Sequence, residues 1–230
     1  MKVLITGICG FVGSAIALEL RRRVEGIDIF GVDNLSRPGS EINRAALKKN
    51  GIRFIHADVR QPSDLDNLPR ADWVIDAAAN PSVLAGVSGG TSSRQLMEHN
   101  LFGTVNVLEY CKQHGAGVIL LSTSRVYSLA ALAGLPMDSQ DGAFLPQFAS
   151  IAQPGLSPAG VTEDFSTTVP LSLYGSAKLA SEVVALDYGA AFGFPVHINR
   201  CGVLAGAGQF GKPDQGISVS GCIRGRQNSL

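Results

Sequence analysis

The chain has 230 residues, 45% of them hydrophobic, and a formal net charge of +0, so it can bury one sizeable core. The balance of charges predicts no binding to nucleic acid. No apolar run reaches the roughly 18 residues of a membrane span, and no cleavable signal is visible. The cysteines are too scattered for a zinc site or a disulfide framework, which favours a reducing cytoplasm and no metal. They are Cys9, Cys111, Cys201 and Cys222.

The first 34 residues predict a complete strand, turn, helix and strand. Val3 to Ile5 is an apolar run that can form a strand buried on both faces. A helix is predicted from about Phe11 to Arg23, and a second strand from Ile29 to Val32. The alternation of strand and helix signals continues along the chain. We therefore predict an α/β fold with a doubly wound parallel sheet of the Rossmann type.

The turn after the first strand has the spacing GxxGxxG. Gly7 allows a tight turn, Gly10 lets the backbone approach a pyrophosphate, and Gly13 lets the helix pack closely on its strand. Phe11 and Val12 begin the helix, whose free N–H groups and positive dipole end favour an anion. Glycine turns of this kind also serve purely structural purposes. The flanking strand and helix argue for phosphate binding here.

Asp33 ends the second strand, about 20 residues beyond the last glycine of the turn. A carboxylate at this place hydrogen-bonds a ribose 2′-hydroxyl and repels a 2′-phosphate. The sequence therefore predicts NAD as the cofactor in preference to NADP.

The next segments predict further strand ends at the same edge of the sheet. Glu41 to Asn50 is predicted as a short helix and Ile52 to Ala57 as a strand, which delivers Asp58 and Val59. The carboxyl ends of parallel strands form the ligand crevice in open α/β sheets. We expect both residues to line that crevice.

A fourth strand, Trp73 to Asp76, and a long helix from about Ser92 to His114 follow. The strand runs into three small side chains, Ala77, Ala78 and Ala79. They leave room for a cofactor, and close packing of the strand on a helix is the alternative explanation. Asn100 lies in the middle of the helix, although Asn is a poor helix former.

Gly117 to Leu121 is a strongly apolar segment that we expect to be central in the sheet. It leads into Ser122, Thr123 and Ser124, whose hydroxyls are candidate catalytic groups. Residues 129–158 are rich in proline and show no sustained period, so they predict a long surface excursion over the active site, with one short helix near Gly142 to Ser150.

Tyr174 and Lys178 lie four residues apart at the start of a predicted helix and project from one face. A lysine beside a phenol favours the phenolate and lowers its pKa, so the tyrosine could take a proton from a substrate hydroxyl. YxxxK is a common chance pattern. The order of the preceding motifs argues against chance.

These motifs, from Met1 to about Gly216, resemble the extended short-chain dehydrogenases/reductases of the NAD-dependent epimerase/dehydratase family. VDNLSR, STSRVYS, SLYGSAK and PDQG at residues 213–216 are most similar to the CDP-paratose (CDP-tyvelose) 2-epimerase group of that family. The resemblance implies catalytic roles for Thr123, Tyr174 and Lys178. It also implies that the Asp58 carboxylate bonds the adenine amine, and that Arg200 to Val203 end a sixth strand near cofactor and sugar.

The cofactor implied by the resemblance is NAD. The residues expected to contact it come from the glycine turn, the strand ends and the two long helices: Gly7, Gly10, Phe11, Val12, Gly13, Asp33, Asn34, Ser36, Arg37, Asp58, Val59, Ala77, Ala78, Ala79, Asn100, Tyr174, Lys178, Cys201 and Val203.

The reaction implied is epimerisation of a nucleotide sugar by transient oxidation of a hydroxyl and reduction on the other face. A 4,6-dehydratase is the runner-up. Dehydratases of the family carry Asp-Glu after the catalytic Thr, where this chain has Ser124 and Arg125. A reductase that releases its cofactor stays open. The family also implies a homodimer through the helices Ser92 to His114 and Tyr174 to Phe192.

Another hypothesis is that the chain is an inactive NAD-binding fragment. Family members continue beyond Leu230, and the likeness ends after Ile217, for which a frameshift is one explanation. We expect residues 1–217 to form the NAD-binding domain with the catalytic residues. The four apolar side chains of Ser218 to Leu230 cannot offset about 1 to 2 kcal/mol of backbone entropy for every ordered residue, so this tail is expected to be mobile.

Overall fold

The structure is a computed structural model and describes residues 1–87, 90–140, 142–151, 153–206 and 209. The strands are β1 (Lys2–Thr6), β2 (Asp28–Asp33), β3 (Arg53–His56), β4 (Trp73–Asp76), β5 (Gly117–Thr123), β6 (Met137–Gln140), β7 (Ala143–Pro146), β8 (Leu156–Ser157), β9 (Gly160–Val161) and β10 (Val196–Cys201). Six of them form one parallel sheet in the order β10-β5-β4-β1-β2-β3.

Helices cover both faces of this sheet. They are α1 (Phe11–Arg23), α2 (Asn43–Lys49), α3 (Pro62–Asp66), α4 (Ser93–Met97), α5 (Gly103–His114), α6 (Leu129–Ala133) and α7 (Leu173–Phe192). A π-helical turn, Glu98–Phe102, joins α4 to α5. Three 3₁₀ turns lie at Ser40–Ile42, Ser124–Val126 and Phe148–Ser150.

Strand β1 is buried on both faces, as its apolar run predicts. Leu4 packs into one hydrophobic cluster with Phe30 and Val74, and Ile5 packs into the cluster on the opposite face with Ile29. Parallel strands covered by helices on both sides read as continuous apolar runs for this reason. The predicted doubly wound parallel fold is confirmed.

The strand order reverses between β1 and β4, and this reversal creates a crevice at the carboxyl edge of the sheet. The registers bring polar strand ends together at that edge. Thr6 of β1 lies opposite Asp76 of β4, and Cys201 of β10 lies opposite Thr123 of β5.

Several predicted elements have the predicted bounds, whereas others differ. Helix α1 and strand β4 agree at both ends. The long helix after residue 92 is interrupted by the π-helical turn, and α3 was not predicted. β5 is an inner strand but not a central one, because α7 returns the chain to add only β10 outside it.

The excursion after β5 is more structured than expected. β6 pairs with β7 and β8 with β9, each pair antiparallel. The short helix expected near Gly142 to Ser150 is limited to the 3₁₀ turn Phe148–Ser150, and α6 was not predicted. Phe165 anchors the segment, since it is 2% exposed and packs edge-on against Tyr127 with ring centroids 5.6 Å apart. Short strands lack the length that a periodic pattern needs.

Residues 213–216 and the tail from Ser218 lie outside the described residues.

A buried ion pair fastens α7 to β10. The Arg200 guanidinium donates to both carboxylate oxygens of Glu182, with Nη2 to Oε2 at 2.8 Å, and the Glu182 side chain is 4% exposed. The Ser122 hydroxyl donates to the same carboxylate from β5. Three elements therefore converge on Glu182.

We expect Glu182→Gln to lower the free energy of unfolding by about 3 kcal/mol, because it leaves the Arg200 charge unpaired in a largely buried place. Glu19→Gln is the matched control, since Glu19 pairs with Arg22 at the exposed surface of α1. Urea unfolding at neutral pH would measure both. Equal losses for the two variants would contradict the importance of the buried pair.

Candidate functional site

The glycine turn packs tightly against the start of the segment after β4. Gly7 has φ +63°, and a Cβ there would lie 2.9 Å from the Ala78 Cα. A Cβ on Gly13 would lie 2.2 Å from the Gly7 carbonyl oxygen. Thr6 Oγ1 accepts hydrogen bonds from the Ala77 and Ala78 N–H groups at 3.0 Å. These contacts involve the backbone of Ala77 and Ala78, so both explanations of the small side chains after β4 stay predictions.

Helix α1 begins at this turn without a side-chain cap. Its N-cap is Gly10, and within the described ranges of the chain no side chain caps the first N–H groups of the helix. Phe11 and Val12 lie in this first turn. Free N–H groups and a positive dipole end fit a pyrophosphate.

Asp33 holds the backbone of the glycine turn and of the bend after β2. Its Oδ2 accepts from the Cys9 N–H at 3.0 Å, and its Oδ1 accepts from the Leu35 N–H at 2.8 Å. Each carboxylate oxygen has a second lone pair, so either could also accept from a ribose hydroxyl. Asp33 therefore shapes the glycine turn in addition to facing the site. Leu35 has φ +56°, which marks a tight bend after Asp33.

Asn34, Ser36 and Arg37 form the loop after this bend. The Asn34 Oδ1 accepts from the Ser36 N–H at 3.0 Å, and its Nδ2 donates to Asp58 at 3.0 Å. Ser36 and Arg37 are exposed at the rim.

The Asp58 carboxylate is already extensively hydrogen-bonded. Burial opposes its ionisation, but bonds from Arg60 and Asn34 outweigh burial and hold the pKa of Asp58 well below its usual range. An adenine amine could bond this carboxylate only by displacing one of those donors. Val59 is positioned by Asn106, whose Nδ2 donates to the Val59 carbonyl at 2.8 Å.

Tyr174, Lys178 and Thr123 form the other end of the site. All three are buried, with exposures of 9%, 1% and 8%. Tyr174 and Lys178 lie one turn apart on α7, and Thr123 ends β5. No described residue accepts a hydrogen bond from the Lys178 ammonium. This buried cation fits a ribose hydroxyl as its partner.

The pKa of the Tyr174 phenol is raised above its ordinary value, which corrects the expected lowering. Burial disfavours the phenolate, and the Thr123 hydroxyl only partly offsets this. Burial likewise lowers the pKa of Lys178, against the opposing effect of Asp76, Glu182 and Cys201. Burial therefore has the largest effect on both groups, and it favours the neutral form of each.

Asn100 is buried in the π-helical turn beside the segment after β4. It is 0% exposed, and its side chain accepts from the Asn80 N–H at 2.7 Å and donates to the Asn80 carbonyl at 3.0 Å. Its own carbonyl lies within hydrogen-bond distance of the hydroxyls of Thr104 and Ser181. The amide of Asn100 therefore fastens the segment after β4, and the contact between Asn100 and a cofactor stays a prediction.

Cys201 ends the sixth strand of the sheet, and Val203 follows two residues later, as expected. Cys201 is half-buried, and burial raises the pKa of its thiol, opposed by the nearby Lys178. Val203 is 73% exposed. Of the two, only Cys201 is brought close to the Tyr174–Lys178 pair.

Sequence reasoning missed Asp76, Glu182 and Asn43. Asp76 is 2% exposed and accepts from the hydroxyls of Thr6 at 2.7 Å and Thr104 at 2.9 Å. A charged residue at the end of an otherwise apolar strand could have signalled Asp76. Glu182 lies one helical turn after Lys178, a spacing that could have signalled its proximity. No local pattern in the sequence could have signalled Asn43, because its partner Cys9 lies 34 positions away along the chain.

Neither a metal site nor a membrane span is found in the described part of the chain. No three His, Cys, Asp or Glu side chains there are grouped so that they could hold a metal ion. Among the helices of those same ranges, none combines the length and apolarity needed to cross a bilayer.

Residues 3–224 match the model of a family described as the NAD dependent epimerase/dehydratase family. The match runs past Ile217, where the likeness was expected to end. CDP-paratose 2-epimerase of Salmonella typhi is 31% identical over 94% of this chain and 61% of the relative. dTDP-D-glucose 4,6-dehydratase of Dictyostelium discoideum is 29% identical over 91% of this chain and 45% of the relative.

A solved structure with the same fold is UDP-glucuronic acid 4-epimerase from Bacillus cereus in complex with UDP-glucuronic acid and NAD. It has a TM-score of 0.64 and 27% identity, over 87% of this chain and 56% of that one. The chain thus spans about half the length of many proteins that it matches.

Proposed function

Because the chain belongs to the NAD dependent epimerase/dehydratase family, we propose that it binds NAD and epimerises a nucleotide sugar. The observation that carries this proposal is the arrangement at one edge of the sheet. An uncapped helix end lies at the glycine turn, and the buried Tyr174–Lys178 pair lies near Thr123 across the same crevice. The uncapped helix end fits a dinucleotide pyrophosphate, and the Tyr174–Lys178 pair with Thr123 fits acid–base chemistry.

Bound NAD would supply the acceptor and later the donor of a hydride. The chain's own residues hold and move the proton. Tyr174, as the phenolate, takes the proton of a sugar hydroxyl, and as the phenol it returns that proton when the ketosugar is reduced on its other face. Lys178 stabilises the phenolate that starts the reaction, and Thr123 donates a hydrogen bond to the sugar oxygen. Burial raises the pKa of Tyr174, so the phenolate depends on these neighbouring groups for its stability.

Epimerisation is favoured over dehydration by the residues after Thr123. Elimination of water needs an additional acid and base, and Ser124 and Arg125 cannot serve as carboxylic acids. Relatives of both reaction types are found. A CDP-sugar, with reaction at its 2-hydroxyl, is the substrate that the 31% identity to CDP-paratose 2-epimerase favours. A dehydratase or reductase is the alternative within the family, and an NAD-binding fragment without turnover is the alternative outside it.

The protein should bind NAD more tightly than NADP, because the Asp33 carboxylate repels a 2′-phosphate. Asp33→Asn should reduce this preference while an amide oxygen still accepts from the Cys9 N–H. Asp33→Ala should weaken the binding of both cofactors, since it also releases the turn. Calorimetric titration would measure these affinities. Equal binding of NAD and NADP by the unmodified chain would remove Asp33 from the ribose site.

Tyr174→Phe should abolish interconversion of CDP-paratose and its 2-epimer while NAD affinity changes by less than about twofold, because only the proton relay is lost. Tyr188→Phe is the matched control on the same helix, since Tyr188 bonds Glu109 at the surface. Chromatography of the nucleotide sugars would measure turnover. Activity retained by Tyr174→Phe would exclude Tyr174 as the base. NAD binding without turnover in the unmodified chain would favour the fragment.

A homodimer through the long helices is part of the proposal. Val183 and Leu186 of α7 are 55% and 53% exposed, and Phe102 of the π-helical turn is 57% exposed. Apolar side chains on the two helices could form one buried interface. Leu186→Lys should convert the dimer to a monomer in sedimentation experiments, whereas Leu145→Lys on the β6–β7 hairpin should not. A monomeric unmodified chain would contradict the dimer.

The free thiols of Cys9, Cys111 and Cys201 fit a cytoplasmic location, which cell fractionation would check.

A further inference from the structure

Two side chains from different elements hold the backbone of Cys9 within the glycine turn. The Asp33 carboxylate accepts from its N–H at 3.0 Å. The Asn43 Nδ2 donates to its carbonyl oxygen at 2.9 Å. Cys9 itself is 0% exposed, so its thiol packs inward while its peptide groups face these partners.

Asn43 has no evident role in its own helix. It is the first residue of α2, but the N-cap is Ile42 and no side chain caps the helix. Asn is also a poor helix former. The amide of Asn43 instead reaches 34 positions back along the sequence to the turn. Its tertiary contact, and not helix formation, explains an asparagine at this position.

Asn43 also lines a narrow cleft at the N-terminal end of α1. The cleft lies between the glycine turn and the loop that precedes α2, and its walls are formed by Gly10, Phe11, Arg37, Pro38, Gly39, Ser40 and Asn43. A phosphate bound at the end of α1 would lie beside this loop. The orientation of every peptide group in the turn therefore affects its binding.

An anion site formed by backbone needs N–H groups directed at the ligand and carbonyl groups directed away from it. The Cys9 carbonyl immediately precedes Gly10, the N-cap of α1. If this peptide group rotated, its oxygen could face the phosphate and repel it. A donor that bonds the oxygen from the α2 side opposes that rotation.

We propose that Asn43 is a positioning residue for the pyrophosphate of the dinucleotide. Its amide keeps the Cys9 carbonyl directed towards α2, so that the N–H groups at the start of α1 stay available to the ligand. The Asp33 carboxylate accepts from the N–H of Cys9 and so fixes the peptide group on the other side of the same residue. This inference rests on the proposed binding of NAD and assigns a residue that contacts the turn, not the reacting atoms.

The test is Asn43→Asp, which keeps the size of the side chain and suits the N-terminal end of a helix. The ionised carboxylate cannot donate to the Cys9 carbonyl, so NAD affinity should fall about tenfold near pH 8. On lowering the pH to about 5, the affinity should recover as the new carboxyl gains a proton, because the acid form is a donor again. The Cys9 carbonyl oxygen, 2.9 Å from the Asn43 Nδ2, accepts a hydrogen bond only from the protonated carboxyl and so raises its pKa towards the range of the experiment.

Asn50→Asp is the matched control. Asn50 follows the same helix and donates to the Ala46 carbonyl at 2.9 Å at an exposed position, so the variant adds the same charge without touching the turn. The NAD affinity of the unmodified chain at each pH shows how much the other charged groups around the turn contribute to any change with pH. These groups are Asp33, Arg37, Glu41, Arg44 and His56. Calorimetric titration gives the affinities, and circular dichroism confirms that each variant is folded at each pH.

The outcomes separate this inference from the proposed function. An unmodified chain that does not bind NAD would refute the proposed function itself. If the unmodified chain binds NAD and Asn43→Asp binds it as tightly as Asn50→Asp near pH 8, Asn43 does not position the turn. A folded Asn43→Asp protein that stays weak at every pH would also overturn the inference, because a lost donor should be restored by protonation.

Discussion

The hydrogen bonds of Thr6 connect the two strands between which the order of the sheet reverses. Its hydroxyl donates to Asp76 and accepts from the N–H groups of Ala77 and Ala78. A single buried side chain thus fixes β1, the end of β4 and the segment that packs against the glycine turn. Because Thr104 bonds the other oxygen of Asp76, α5 is held to the same point. Because these buried polar groups bond one another, the ends of β1 and β4 stay together at the edge of the crevice.

The catalytic end of the crevice depends on a second buried junction. Glu182 accepts from Ser122 and Arg200, and so connects the helix that carries Tyr174 and Lys178 to the strand that carries Thr123. Arg200 also donates to the Glu163 carbonyl at 3.0 Å, which links the excursion after β5 to the same pair. Burial raises the pKa of Tyr174 and lowers that of Lys178, and in both groups it outweighs the opposing effects of the neighbouring side chains.

Most of the fold could be predicted from local patterns. The apolar run of Val3 to Ile5, the GxxGxxG turn and the helix to Arg23 are contiguous, and each element is specified by residues within it. The bounds of the strands in the excursion after β5 were less predictable. Strands of two to four residues are too short to show an alternation of apolar and polar side chains. The π-helical turn at Asn100 was unpredictable for another reason. It depends on bonds to Asn80 and Ser181, which are distant in sequence.

The sequence by itself determined the identity and order of the motifs, and hence the sheet edge at which Asp33, Thr123, Tyr174 and Lys178 meet. Side-chain partners were decided only by tertiary structure. Asp58 bonds Arg60 and Asn34, Asn100 bonds Asn80, and Asn43 reaches the Cys9 carbonyl. The direction of the Tyr174 pKa shift also depends on the fold, because burial of the side chain causes it. Hydrogen bonding and desolvation depend on which groups meet in space, and a residue's spacing along the chain does not specify that.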